Sequence, residues 1–254
     1  MKNSLLDMGQ RLCTALRFLT LLPISWGAEN DGDYFAKCLG LFPVVGLLVG
    51  IGGFIIGSFL LPFAPIPVAG MLSLLFLAGI SGFLHLDGLA DSADGLLSAR
   101  PREEAMRIMK DSRAGVMGVV AVVFVVLLKF AAVSSFPAYE MPMVILLMPV
   151  AGRCAILITM ARLPYARPEG GLGQLFYARK TKAIATIGVI FFGALVFLVR
   201  RQSFLQILFL FFLVILLVNR WCRVKLGGAT GDTLGAICEL AETSCAVACS
   251  VVFS

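Results

Sequence analysis

Phe83-Leu84-His85-Leu86-Asp87-Gly88-Leu89-Ala90-Asp91-Ser92-Ala93-Asp94-Gly95-Leu96 closes an apolar run that starts near residue 67 and is long enough to cross a bilayer. Read as a helix, the stretch carries Asp87, Asp91 and Asp94 at i, i+4 and i+7, within roughly 60° of one face at 100° per residue. Carboxylates stacked in this way repel one another and are costly to desolvate beside lipid, so they need a cation or strong donors close by. A hard divalent ion such as Mg²⁺ takes oxygen ligands and leaves positions open for phosphate. The run therefore points to metal-assisted phosphate chemistry at a membrane face.

Outside this run, apolar residues make up 59% of the 254-residue chain and charged residues only 14%, unlike a soluble domain. The expected fold is all-α: one membrane-embedded catalytic domain over 1–254, a polytopic bundle of six to seven transmembrane helices plus an N-terminal amphipathic helix. Candidate spans lie at about 41–61, 67–84, 115–133, 142–160, 184–199, 204–219 and 233–253. The last holds Glu239 and Glu242, which suits a helix buried among its neighbours. Residues 4–22 space Leu5, Met8, Leu12, Ala15, Leu19 and Leu22 along one helical face, with Arg11 and Arg17 off it and Pro23 as the stop. That face suits either a membrane interface or packing inside the bundle. Gly46 and Gly50 form a weak GxxxG signal for close helix contact.

Segments 85–114 and 161–183 carry five Lys/Arg each and 220–232 carries three, whereas 62–66 and 134–141 carry none. The positive-inside rule then puts the N-terminus and the long loops in the cytoplasm, with Arg200-Arg201 as the exception. The net charge of +6 reflects this loop bias and implies no nucleic acid partner. Seven scattered cysteines without a CxxC, beside a single histidine, read as buried free thiols and not as a zinc site.

Two further constellations carry chemistry. Arg107-Ile108-Met109-Lys110-Asp111-Ser112-Arg113-Ala114-Gly115 offers guanidinium and ammonium groups to a phosphate, although, taken by itself, loop basicity for topology explains it better. Gly227-Gly228-Ala229-Thr230-Gly231-Asp232-Thr233-Leu234-Gly235 is a glycine-rich turn opening a helix, where free N–H groups attract anions. Asp232 is either a helix cap or a site acid, and on a helix it shares a face of roughly 80° with Glu239 and Glu242. Arg153, inside a span, needs a carboxylate or a ligand phosphate; Lys129, near the outer end of its span, is expected to snorkel to the surface.

These three motifs together resemble the cobalamin synthase family, also called cobalamin 5′-phosphate synthase or adenosylcobinamide-GDP ribazoletransferase. The resemblance extends to Phe18-Leu19-Thr20 with Pro23, to Phe42-Pro43 followed by Gly46, and to Tyr165-Ala166-Arg167 with Gly171-Leu172-Gly173. It spans nearly the whole chain. Leu21-Leu22 lacks a basic residue expected before Pro23, and Ser92 stands where threonine is common; neither touches the chemistry. The resemblance implies a multi-pass enzyme of the bacterial inner membrane, with its active-site loops facing the cytoplasm. It would join adenosylcobinamide-GDP to α-ribazole or its 5′-phosphate and release GMP, with Mg²⁺ as cofactor. Asp87, Asp91, Asp94 and Asp232 would be the catalytic and metal-holding acids, joined by Glu239 as a metal ligand. His85, Lys110, Asp111, Arg113, Arg153, Arg167 and Thr230 would contact substrate. Membrane lipid is the expected surrounding partner, and a homo-oligomer is left open.

Two other readings compete. A CDP-alcohol phosphatidyltransferase would need D-x2-D-G-x2-A-R, but Asp91 to Arg100 holds one residue too many and lacks the downstream acids. An ion-coupled transporter would need inverted repeats and acids near the midplane, and no repeat is visible.

Overall fold

Helix α1 (Lys2–Leu19) is followed by α2 (Asp31–Cys38), α3 (Phe42–Leu60), α4 (Ile66–Ile80), α5 (Leu84–Leu96) and α6 (Arg102–Ile108). Then come α7 (Val116–Ser134), α8 (Met141–Arg162), α9 (Thr181–Val199), α10 (Phe204–Leu226) and α11 (Gly231–Ser250). This computed structural model describes residues 2–167, 169, 172–177 and 181–251; Gly171 of the family-like motif lies outside them. Among the described residues five helical segments are long and apolar enough to cross a membrane: Ala28–Leu60, α7, α8, α9 and Arg201–Leu226. The pair α4 and α5 meets the same criterion only jointly. The all-α membrane bundle expected from composition is the fold observed.

Burial sorts the helices. The most apolar window of α8 is 89% buried, against 22% for α7 and α9, so α8 is a core helix and the others face outward. Beside α8 runs α11, whose residues from Thr233 to Ala246 are nearly all buried, Glu239 and Glu242 included. This is the buried polar helix expected from its acids. Around the two stand α3, α5, α7, α9 and α10. Phe124 and Leu128 on α7, Ile187 and Ile190 on α9, and Leu205 and Phe209 on α10 remain exposed, which suits helices whose outer faces meet lipid.

The weak GxxxG signal turns out to mark a real crossing. A methyl at Gly46 would lie 2.6 Å from the Pro149 carbonyl oxygen, and Gly50 faces the Leu146 carbonyl still more closely, so α3 lies directly on the backbone of α8.

The expected span 67–84 is not one helix. It breaks at Ser81-Gly82-Phe83, where α4 and α5 meet at 84°. Gly82 (φ 61°) and Phe83 (φ 58°) take consecutive left-handed conformations, routine for the glycine and rare for the phenylalanine. The bend re-aims the aspartate run as a separate short helix.

The N-terminal helix answers to both of its readings. Ala15 and Leu19 are buried, and Arg17 binds Asp31 of α2 with Nε at 2.8 Å, while Leu5, Leu6 and Met8 stay exposed. It ends at Leu19, before Pro23.

Segments 85–114, 161–183 and 220–232 meet at one end of the bundle. Lys225 donates to the carbonyls of Ser98 (2.7 Å) and Arg100 (2.8 Å), Arg102 to Ala166 (3.0 Å) and Arg223 to Arg162 (2.8 Å). At the opposite end Arg200, the exception to the charge rule, pairs with Glu140 and lies over the Phe136 ring, so its charge is spoken for. All seven cysteines are free, and all but Cys13 are buried.

Candidate active site

Helices α5 and α11 cross at glycines. A methyl on Gly88 would sit 2.7 Å from the Asp232 carbonyl oxygen, and one on Gly235 would sit 3.3 Å from the Gly88 Cα. Only residues without Cβ allow this approach, and it is the approach that carries Asp232 to the aspartate run. Gly88→Ala should therefore push the helices apart at a cost of about 1–3 kcal/mol and reduce turnover more than stability alone explains. Turnover per folded molecule at saturating substrate would show it; normal turnover would detach the crossing from the site.

Asp232 is not the cap of α11. Thr230 is: its hydroxyl accepts from the Thr233 N–H (3.2 Å) while the Thr233 hydroxyl accepts from the Thr230 N–H (2.8 Å). Thr230 is wholly buried, its hydroxyl engaged in this capping box. Asp232, in the first turn, instead pairs with Arg167. Arg167 reaches it because segment 164–166 pairs with Ala229: the Ala166 N–H donates to the Ala229 carbonyl (2.8 Å), and the Ala229 N–H donates to that of Pro164 (2.9 Å). Gly228 is needed there, since a side chain would strike the Pro164 carbonyl.

The four aspartates form one acidic face. Asp87 is exposed and Asp91 half-buried, and neither carboxylate makes a hydrogen bond or an ion pair among the described residues. The charges acting on Asp91 are those of Asp232, Asp87 and Asp94, opposed by Arg167. Asp94 has a second task. Its Oδ2 accepts from the Gly115 N–H (2.7 Å) and its Oδ1 from the Gly118 N–H (2.8 Å), which caps the start of α7 from outside. Asp94→Ala should cost about 1 kcal/mol of stability, measurable as a lowered midpoint of thermal unfolding; an unchanged midpoint would deny the cap.

A divalent ion fits the chemistry of this face, since the donors are hard oxygens in excess of neighbouring positive charge. Among the described residues no three acidic, histidine or cysteine side chains converge as a ready-made metal cage. The donor set suits an ion that keeps water and substrate oxygens and takes one or two carboxylates, as Mg²⁺ does.

Two cavities meet at Arg167. One, about 280 Å³, has Asp87, Asp232 and Tyr165 among its polar lining and is otherwise largely apolar. The other, about 400 Å³, is lined by Arg102, Arg107, Lys110, Arg167 and two acids. Arg102 carries no motif of its own in the sequence; the sign is its place beside Arg107 in the same basic segment. The Arg167 Nε is buried without a hydrogen-bond partner, which leaves a donor for a ligand oxygen. Lys110 pairs with Glu169, whose carboxyl is held below its usual range by that hydrogen bond. Asp111 and Arg113 bind each other at 2.8 Å in the open, with the Asp111 carboxyl pulled down to about 2 by Arg113. Neither of this pair lines either cavity.

Glu239 and Arg153 do not join the aspartates. Lys129 Nζ lies 2.6 Å from Glu239 Oε2 and 2.8 Å from Glu242 Oε2, and Arg153 Nη1 lies 2.5 Å from Glu242 Oε1. All four are buried. Lys129 therefore does not snorkel: in a dry bundle two buried carboxylates hold it more firmly than a distant interface. Glu239 pairs with Lys129, away from the aspartates, and Arg153 pairs with Glu242 rather than with an aspartate. His85 lies within reach of the charges of Arg153, Glu242 and Lys129, lines the smaller cavity, and its side chain makes no hydrogen bond among the described residues.

The sequence model of the cobalamin-5-phosphate synthase family matches residues 11–250. An adenosylcobinamide-GDP ribazoletransferase of Acetivibrio thermocellus is 37% identical over 241 residues, covering 92% of this chain and 94% of the relative. One of Clostridium acetobutylicum, with the same name, is 35% identical over 235 residues, covering 92% and 93%. No solved structure matches.

Proposed function

The chain belongs to the cobalamin-5-phosphate synthase family, and we infer from that premise that it is an adenosylcobinamide-GDP ribazoletransferase of vitamin B12 assembly. It transfers the adenosylcobinamide phosphate of adenosylcobinamide-GDP to α-ribazole or its 5′-phosphate and releases GMP. The observation that carries the reading is the meeting of an acidic face, Asp87, Asp91 and Asp232, with a basic cavity at Arg167.

The residues divide the work. Arg102, Arg107, Lys110 and Arg167 line the cavity that suits the diphosphate of the donor, where guanidinium groups bind oxygens bidentately. One or two of Asp87, Asp91 and Asp232 would hold Mg²⁺, with Asp94 fixing α5 to α7. The bound ion would neutralise the pyrophosphate and stabilise GMP as leaving group. A ribazole hydroxyl forms the new O–P bond at the cobinamide phosphate as the bridging P–O bond to GMP breaks; the electron pair of that bond leaves with GMP. The hydroxyl proton passes to whichever of Asp87 and Asp91 does not hold the ion. The shared end of the three basic loops faces the cytoplasm of the inner membrane on this reading, where both substrates are made.

The test is to incubate the purified protein in lipid with adenosylcobinamide-GDP, α-ribazole and Mg²⁺ and to assay GMP. Release that requires all three is expected. Uptake of ligand into vesicles with no GMP would favour a transporter instead.

A further inference from the structure

We propose that the smaller cavity is the seat of the acceptor's base, so that His85 and the phenylalanine wall select a flat, apolar heteroaromatic ring. The proposal rests on the ribazoletransferase reading and adds to it where the acceptor lies and what recognises it.

The cavity closes on rings from three separate parts of the chain. Phe18 of α1 and Phe176 lie 4.3 Å apart by centroid, and Phe42 of α3 sits 5.6 Å from Phe176. Ile156 and Met160 of α8 complete the dry wall, both at most 5% exposed. At about 280 Å³ the space suits one bicyclic ring and is far too small for a corrin. It also suits guanine badly, because a purine with several polar edge groups would bury them against hydrocarbon at a cost.

Besides Tyr165, a buried histidine interrupts the wall. His85 is 4% exposed, lines the cavity and has no hydrogen-bond partner among the described residues. Buried imidazoles without partners are uncommon in native proteins. A benzimidazole base carries one unsubstituted ring nitrogen, an acceptor that a neutral imidazole N–H satisfies. At the mouth stand Asp87, Asp232 and Arg167, so a ribose attached to the seated base emerges at the acidic face. Arg167 also lines the basic cavity. Acceptor hydroxyl and donor diphosphate thus approach from the two sides of one residue.

Equilibrium dialysis of labelled α-ribazole and of adenosylcobinamide-GDP against protein in lipid nanodiscs tests this. Met160→Trp fills the cavity without touching the basic one. It should weaken α-ribazole binding at least tenfold and leave donor binding within twofold. Unchanged α-ribazole binding by a folded variant, as when a lipid chain occupies the space, overturns the proposal, and so does an equal loss of both ligands. If Met160→Trp does not assemble, the wild type decides: the free base 5,6-dimethylbenzimidazole should compete with α-ribazole and not with the donor, and absence of that competition overturns the proposal. A wild type that binds neither substrate and releases no GMP would instead sink the underlying functional reading.

Discussion

Asp91→Asn and Asp87→Asn each abolish most GMP release while the protein still inserts and folds. Asparagine keeps the size of the side chain and removes the charge that would hold a divalent ion. If that ion supplies about 4 kcal/mol of transition-state stabilisation, the loss is about a thousandfold. Neither residue has a structural partner to lose among the described residues. Removing one of several crowded carboxylates relieves repulsion, so stability should hold or rise slightly. Turnover and thermal unfolding measured on the same preparations separate the effects. Near-normal turnover in both variants would remove the aspartate run from the chemistry.

The second large effect lies away from the site. Glu242 bridges Lys129 and Arg153, and the four buried groups, with Glu239, sum to zero charge. Glu242→Gln leaves a net positive charge in the core, for which a loss of about 3–5 kcal/mol is expected. Adding Arg153→Met restores neutrality, keeps the Lys129–Glu239 pair and should return much of that loss. The midpoint of thermal unfolding in detergent, read for the single and double variants, checks it. A double variant no more stable than the single one would mean that side-chain packing, not charge, sets the cost. Because the network clamps α11 against α7 and α8, the single variant should also loosen Asp232 relative to Asp87.

The acid run was legible because its information is local. Helical spacing and glycine context put Asp87, Asp91 and Asp94 on one face before any coordinate was known, and the glycine-rich turn marked Asp232 in the same way. What sequence left unread depends on partners far along the chain. Lys129 looked like a residue near a helix end, and its partners lie 110 and 113 residues away. The tie from Asp94 to the Gly115 and Gly118 amides, 21 and 24 residues on, likewise hides its capping role. The break at Gly82-Phe83 escaped because hydropathy averages over a window, while the bend is set by two backbone dihedrals. Phe176 gave no sign of entering the site, since its neighbours there, Phe18 and Phe42, come from the other end of the chain.

The account stands on Asp232 and the aspartate run forming one metal-holding face across the Gly88–Gly235 crossing. The most direct measurement is GMP release against Mg²⁺ concentration for wild type and Asp232→Asn. Thr230, not Asp232, caps α11, so the substitution leaves the helix end intact. A Mg²⁺ midpoint shifted to higher concentration, with an unfolding midpoint lowered by no more than the loss of the Arg167 ion pair explains, is the predicted result. An unchanged Mg²⁺ midpoint would contradict the shared face, leaving Asp232 as no more than the partner of Arg167.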